Sequence, residues 1–413
     1  MARTTPQAKR EALLLAADRP TAIEALRLIW NEERISRAEI ARRTGLSRST
    51  ISAAVTDLLA SGLVEEVGAG PSRGGRRPIE LQFQYDGYAI VGVDLGASHV
   101  AVAVTNLRGE VKAFEESSVP ARTDPDAALQ AMDELVDLCL RRWPGSRSKL
   151  VGIGVAVPSP VDPRRPDRLS DLVAPAWRGR SVTAGLAARF SVRVLMDNDA
   201  NLGALAEQWW GAGRGASESV YIKVATGVGS GHIIGGKIYR GASGTAGEIG
   251  HVAMDPKGRV CVCGLRGCLV TFVGTEALVS RARELLRGEA GSILDARKLT
   301  ITAIEDAALA GDRVATQVVS EAADSLGIAV AGMLNLMNPA VVSIGGSLAR
   351  LGEKLLEPLR KAVQSRTLVS SVAAAEIVAS ELGVHDVAVG AATLVLDAAL
   401  EDLSYFPAAR SAR

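Results

Sequence analysis

Cys261, Cys263 and Cys268 fall within eight residues in the pattern C-x-C-G-x-x-G-C, and His251 lies ten residues upstream. Three thiolates and one imidazole form a complete tetrahedral ligand set for zinc. A closed set of this kind is structural, because no position stays open for water. Gly264 and Gly267 let such a loop curl around an ion. Buried thiols acting as small hydrophobes would not produce this spacing, and in a reducing compartment zinc accounts for it better than disulfides. Cys139 stands alone in an amphipathic stretch and reads as a core residue. A second concentration of chemistry is Asp197-Asn198-Asp199, delivered by the apolar run Val194-Leu195-Met196 just before a helix expected to reach about Trp210. A carboxylate at a helix N-terminus is stabilised in its charged form, which suits it to accept a proton or a hydroxyl hydrogen bond. Taken alone, this segment is better explained by Asp197 or Asp199 serving as the helix N-cap.

A third group is basic: Arg34, Arg37, Arg42, Arg43 and Arg48, then Arg73, Arg76 and Arg77. The elements around these residues are short helices. Thr21 with Glu24 reads as a capping box ahead of Ile23, Leu26 and Trp30, and Ser36 with Glu39 repeats it ahead of Ile40. Gly45 ends that helix in a tight turn. Ser47 then starts a third helix with Ile51, Val55, Leu58 and Leu59 on one face. The opposite face carries Arg48, Ser49, Ser52 and Ala53, small or polar residues able to lie close to a DNA groove. Two short strands, Leu63–Val67 and Ile79–Phe83, flank the loop Gly68–Pro78 and make a wing. Its Arg73, Arg76 and Arg77 could enter a narrow minor groove, where negative potential is greatest. A three-helix module for protein contacts is the weaker account of these features together.

Composition bounds the rest. The chain has 413 residues, 47% apolar and 23% charged, enough for real cores and two to four folded units. No uninterrupted apolar run approaches the roughly 18 residues of a membrane span. Ala12–Ala17, flanked by Glu11 and Asp18, makes a poor secretory signal. Four cysteines do not make a disulfide scaffold. The expectation is a cytoplasmic protein without a membrane partner. The net charge of +1 averages over +3 in residues 1–83 and −2 in the remainder, so it says nothing against a nucleic-acid-binding end.

From Tyr88 onward the pattern alternates strands and helices. Ala89–Leu95 is an apolar strand ending in Asp94-Leu95-Gly96, with return strands at His99–Thr105 and from Val111, then a helix over Ala127–Arg142. A related layout recurs at Val220–Ala225, the glycine turn Thr226–Gly231, and His232–Ile234. Two halves with this plan suggest a duplicated α/β domain with a cleft. Paired glycine turns there can bring backbone N–H groups close to phosphates.

The winged helix-turn-helix, Asp94-Leu95-Gly96, Asp197-Asn198-Asp199-Ala200-Asn201, Glu248-Ile249-Gly250-His251 and the cysteine loop together resemble the ROK family of repressors, open reading frames and sugar kinases. The resemblance spans about residues 20–400. It implies an α/β fold class: a winged helix-turn-helix over residues 1–86, then a two-lobed actin-like ATPase domain with a structural zinc loop over 87–403. Residues 404–413 are expected to be a flexible tail. Carried over residue by residue, it implies sugar contacts at Ser159, Asn198, Asp199, Glu248 and His251. Zinc ligands fall at His251, Cys261, Cys263 and Cys268. Nucleotide contacts fall at Asp94, Gly96, Ser98, Thr226, Gly227, Gly229, Gly345 and Gly346, and in kinase members the residue at Asp199 is the general base.

Two departures bear on activity. The phosphate turn of ROK kinases usually reads D-x-G-G-T-K, whereas here Ala97 and His99 replace a glycine and the lysine. Val270 stands where those kinases carry a glutamate for sugar hydroxyls. The resulting expectation is a sugar-responsive transcriptional repressor acting as a homodimer or homotetramer on a palindromic operator, with a sugar or sugar phosphate as effector. DNA contacts are expected at Arg37, Ser47, Arg48, Ser49, Thr50, Ser52, Arg73, Arg76 and Arg77. The rival expectation is an ATP- and Mg²⁺-dependent, glucokinase-like sugar kinase with an attached DNA-binding domain.

Overall fold

The computed structural model describes residues 6–70, 77–162, 164–170, 173–288, 291–368 and 375–407. A helix precedes the first one expected: α1 spans Pro6–Ala17 and buries Leu13 and Ala16. Helix α2, Pro20–Asn31, begins two residues earlier than the Thr21 capping box implies. Pro20 occupies its first turn and Arg19 its N-cap position, without a side-chain cap. Proline suits that position because the N–H it lacks would be unpaired anyway. After β1 (Ile35–Ser36), the Ser36 side chain caps α3, Arg37–Thr44, by accepting from Glu39 N–H. Glu39 does not reach back to complete a capping box; its carboxylate instead accepts from Arg42 and Arg43.

Gly45, at φ +69°, makes the left-handed turn that a side chain would strain. Ser47 then caps α4, Arg48–Ser61, whose Ile51, Val55 and Leu58 are buried. Strands β2 (Val64–Ala69) and β3 (Ile79–Phe83) pair antiparallel as the wing, with β1 on the outer side of β3. The wing arginines Arg73 and Arg76 lie outside the described residues.

The first lobe follows: β4 (Ala89–Leu95), β5 (His99–Thr105), β6 (Val111–Ser118), α5 (Pro125–Arg142), β7 (Leu150–Val157), α6 (Ala184–Phe190) and β8 (Arg193–Asn198). Helix α7, Asp199–Trp210, leads into the second: β9 (Ser219–Val224), β10 (Val228–Ile234), β11 (Lys237–Ile238), α8 (Val270–Val273), α9 (Thr275–Leu285), α10 (Ile301–Leu309), α11 (Arg313–Met337), β12 (Val341–Gly345), α12 (Glu353–Gln364) and β13 (Glu376–Ala379). The sheets run β6-β5-β4-β7-β8 and β11-β10-β9-β12-β13. Each lobe therefore has its first strand in the centre, two antiparallel neighbours on one side and two parallel strands on the other. β4 and β9 occupy equivalent places, as expected of a duplication.

The final helix, α13 (Asp386–Glu401), packs on β4, β7 and α7. The stretch Gly383–Glu401 is apolar and long enough to cross a membrane, but 67% of it is buried inside this fold, as a core helix would be. Val395, Leu396 and Leu400 of α13 share one apolar core with Leu26, Leu58 and Phe83 of the N-terminal module. Of the expected tail, residues 404–407 are packed rather than loose, and residues 408–413 lie outside the described residues. Phe406 is fully buried, edge-on to Tyr88 at 5.0 Å, and Leu403–Tyr405 pack on α1.

Candidate functional site

A cavity of about 450 Å³ opens between the lobes. The first lobe lines it with the Gly96–His99 turn, Arg122 and Pro158–Pro160. The second contributes Thr226, Gly227, Gly229, Glu248, His251, Cys263 and Val270, and Asn198, Asp199 and Lys223 lie between them. The expected sugar residues are thus brought together around one space, which also includes Gly96, Ser98, Thr226, Gly227 and Gly229 of the expected nucleotide set. Gly345 ends β12 beside β9 and Gly346 follows it, and neither is among the cavity's lining residues. Val270 presents an apolar wall where ROK kinases carry a carboxylate.

Neither aspartate is the N-cap of α7. Asn198 takes that role, its Oδ1 accepting from Ala200 and Asn201 N–H. Its Nδ2 donates to Ser159 O at 3.3 Å, which ties the cap to the Pro158–Pro160 wall. Asp199 Oδ1 shares the Ala200 N–H with that cap at 2.8 Å, and its Oδ2 turns toward Lys223 Nζ at 2.9 Å. Asp197 is buried and paired with Arg240. Burial pushes the Glu248 carboxyl above the usual carboxylate range, His251 opposes the shift, and the charge of Asp199 adds to it.

Sequence reasoning misses Lys223 and Arg240. A lysine in the run Val220-Tyr221-Ile222-Lys223-Val224, in a strand with neighbours on both sides, is a signal in itself. A charge in such a strand needs buried partners.

Beyond Glu248 lies the thiol–imidazole cluster. The ligand atoms of His251, Cys261, Cys263 and Cys268 all lie within 4.8 Å of one another. Cys263 Sγ and Cys268 Sγ are 3.7 Å apart, and Cys261 Sγ is 3.6 Å from His251 Nδ1. Tetrahedral bonds of ~2.3 Å to zinc would set sulfur–sulfur separations of ~3.8 Å, so the donor set fits that ion. The loop is shaped by Cys261 N–H donating to Leu265 O at 2.7 Å, with Gly264 and Gly267 both at positive φ. His251 turns Nδ1 to the thiols and Nε2 toward Glu248 Oε2 at 3.8 Å. One ring thereby joins the cluster to the cavity.

On the winged helix, Arg48, Ser49, Thr50 and Ser52 of α4 are exposed, as is Arg77 at the base of the wing. Ser47 is exposed but committed locally, accepting from Thr50 N–H and bonded to the Ser49 and Thr50 hydroxyls. Arg37 is paired with Glu66 of β2 at 2.9 Å and braces the wing against α3.

The N-terminal winged module also meets the two-lobed domain directly. Trp30 of α2 lies 5.1 Å from Trp209 and 5.9 Å from Trp210, centroid to centroid, at the C-terminal end of α7. Its indole N–H donates to Leu107 O at 3.1 Å, and the Arg108 guanidinium lies over its ring.

Fold and site together define a winged helix-turn-helix joined to a two-lobed, actin-like sugar-kinase fold. The chain belongs to the ROK family: the model described as "ROK family" matches residues 90–398, and that for winged helix-turn-helix DNA-binding matches residues 18–65. It is 32% identical to the xylose repressor of Caldicellulosiruptor bescii over 388 residues, covering 92% of this chain and 96% of the relative. It is 31% identical over 382 residues to the DNA-binding transcriptional dual regulator NagC of Escherichia coli, covering 91% and 92%. A solved ROK family glucokinase from Streptomyces griseus, in complex with glucose and AMPPNP, superposes with a TM-score of 0.67 at 29% identity, covering 74% of this chain and 98% of that one. A ROK family transcriptional regulator homologous to the E. coli MLC protein matches in fold at a TM-score of 0.77, covering 94% and 97% at 24% identity.

Proposed function

We propose that this protein is a sugar-responsive transcriptional repressor of carbohydrate genes. In this reading α4 enters the major groove of a palindromic operator as part of a two-fold homo-oligomer, and Arg77 and the wing reach toward the minor groove. A sugar or sugar phosphate in the inter-lobe cavity contacts Asn198, Asp199, Glu248 and His251, and zinc holds the loop that presents the last two.

The observation that carries this reading is helix α7. Its start, at Asn198 and Asp199, lines the cavity, and its end, at Trp209 and Trp210, packs on Trp30 of the DNA-binding module. Twelve helical residues make a rod of about 18 Å. A ligand that prefers one closure of the lobes would bias the seat of Trp30, and with it the spacing of paired recognition helices. It does so only by its differential affinity for the two arrangements. The names of the xylose and N-acetylglucosamine repressors suggest the effector panel.

The test is an operator selected from random DNA and titrated at fixed salt with D-xylose, D-glucose, N-acetylglucosamine and N-acetylglucosamine 6-phosphate. At least one is expected to change operator affinity severalfold; a flat response to all sugars and sugar phosphates tried would overturn the reading. Similarity to the glucokinase favours a second reading, ATP-dependent sugar phosphorylation with Asp199 as base. Turnover in an ATP-coupled assay that vanishes in Asp199→Ala would support it.

A further inference from the structure

One charge in the cleft is used by neither the sugar contacts nor the thiol cluster. The Lys223 side chain, near the end of β9, is only 12% exposed, and its Nζ lies 2.9 Å from Asp199 Oδ2 and 3.6 Å from Asp94 Oδ2. His99 Nε2 meets the same Asp94 oxygen at 3.2 Å. A single ammonium from the second lobe thus bridges the first strand of the first lobe and the start of α7. Burial alone would drive that ammonium toward neutrality, but Asp199 and Asp94 outweigh it and raise the Lys223 pKa.

The kinases of this fold imply a magnesium nucleotide, and these residues do not fit one. Phosphoryl transfer asks Asp199 to take the proton of the attacking hydroxyl. It also asks for acidic oxygens free to balance a divalent cation near the phosphates. Here the lysine already occupies Asp199 Oδ2, the oxygen nearest to it, at 2.9 Å. Asp94 Oδ2 faces two basic side chains, which leaves only its buried Oδ1 without a hydrogen-bond partner, and the Ala97 methyl group occupies the phosphate turn. Asp199 retains lone pairs for a sugar hydroxyl, because a carboxylate offers about four acceptor sites.

We propose that Lys223 is the built-in cation of a non-transferring sugar site: it keeps Asp199 as a hydrogen-bond acceptor and takes the place of the divalent cation that catalysis would bring. The proposal rests on the sugar-site reading above, and its test separates the two.

The experiment compares the zinc-loaded full chain with Lys223→Met and Lys223→Arg by thermal unfolding with and without millimolar Mg²⁺. The wild type and Lys223→Arg should not respond. Lys223→Met leaves two buried carboxylates around a missing charge, and Mg²⁺ should raise its melting temperature by several degrees. Should Lys223→Met fail to fold, Asp94→Asn/Lys223→Met restores charge balance, and it is expected to fold without responding to Mg²⁺. Calorimetry in magnesium-free buffer gives the second readout: the sugar that binds the wild type should bind Lys223→Met at least tenfold more weakly and Lys223→Arg within a few-fold. Mg²⁺-dependent stability of the wild type, ATP-dependent sugar phosphorylation by it, or a Lys223→Met variant that ignores Mg²⁺ and binds sugar normally would each overturn the proposal. If no sugar binds the wild type, the sugar-site reading fails, while the Mg²⁺ comparison still decides whether Lys223 replaces a cation.

Discussion

The guanidinium of Arg240, just past β11 in the second lobe, closes on the carboxylate of Asp197 at the end of β8 in the first, with Nε at 2.8 Å and Nη2 at 2.6 Å from Oδ2. The other oxygen, Oδ1, accepts from Asn198 N–H and Asn201 Nδ2. The pair therefore clamps the point where a strand becomes the helix that lines the cavity. Removing one partner of a buried ion pair costs more than the pair contributes, because the remaining charge is left without compensation. Arg240→Ala should lower stability by about 2 kcal/mol, a figure reduced for the partial exposure of the arginine. It should also weaken sugar binding. Urea unfolding checks the first effect and calorimetry the second; an unchanged urea midpoint would show that the clamp is ornamental.

Trp30→Ala removes the contact between the DNA-binding module and α7 without touching the cavity. Sugar affinity should stay within a factor of three or so. The ratio of operator affinities with and without sugar should collapse toward one, because coupling is a difference between states. Trp30→Phe should retain most of it. Fluorescence anisotropy on labelled operator measures the ratio, and a wild-type ratio in Trp30→Ala would place the coupling elsewhere.

Cys263→Ser should reduce bound zinc from about one per chain to a small fraction, because a closed four-ligand shell tolerates few losses. The loop bearing Glu248 and His251 should loosen, weakening sugar binding by tenfold or more, since a metal ligand's other contacts depend on its orientation. Metal analysis together with calorimetry tests both. Full zinc occupancy in this variant would remove Cys263 from the ligand set.

The arginines of the winged helix should separate by salt dependence. Arg48→Ala and Arg77→Ala, both exposed, should each reduce the slope of log affinity against log salt by about 1 if they meet phosphates. Arg37→Ala should leave the slope unchanged, because its guanidinium is committed to Glu66. An equal loss for Arg37 would mean that the Glu66 pair opens on DNA.

Acid stability should report on His232. This residue of β10 is buried, and burial lowers its pKa to about 4 from 6.5. Below pH 6.5 the unfolded chain takes up a proton that the folded chain refuses until about pH 4, so stability falls as pH falls through that window. His232→Leu should flatten this limb. Urea midpoints at pH 7.5 and pH 5 would show it, and equal pH sensitivity in both proteins would assign the acid limb to other groups.

The cysteine loop and the recognition helix are legible in the sequence because their chemistry depends on spacing within one short segment. Three cysteines and two glycines in eight residues suit a metal loop and little else, and Ser36, Gly45 and Ser47 mark helix ends by rules that act locally. The ion pairs of the cleft obey no such rule. Lys223 has meaning only beside Asp94 and Asp199, each more than twenty residues away in the chain, and Arg240 only beside Asp197. The N-cap of α7 is misread from sequence for a related reason: three adjacent residues could all cap, and only the tertiary partners of Asp197 and Asp199 leave Asn198 to do so. Arg37 reads as a DNA contact in the sequence, which gives no sign that β2 sets Glu66 beside it as a partner.

The burial of Phe406 and the packing of Leu403–Tyr405 on α1 also bear on the order of synthesis. The N-terminal helices leave the ribosome first, yet α13 and the residues after it complete their apolar core. A nascent chain therefore carries an unfinished DNA-reading end until α13 and the residues after it have been made. The seal of the operator-reading module thus comes from far along the chain, and a chain truncated before residue 400 should lack a properly seated module as well as an intact α13.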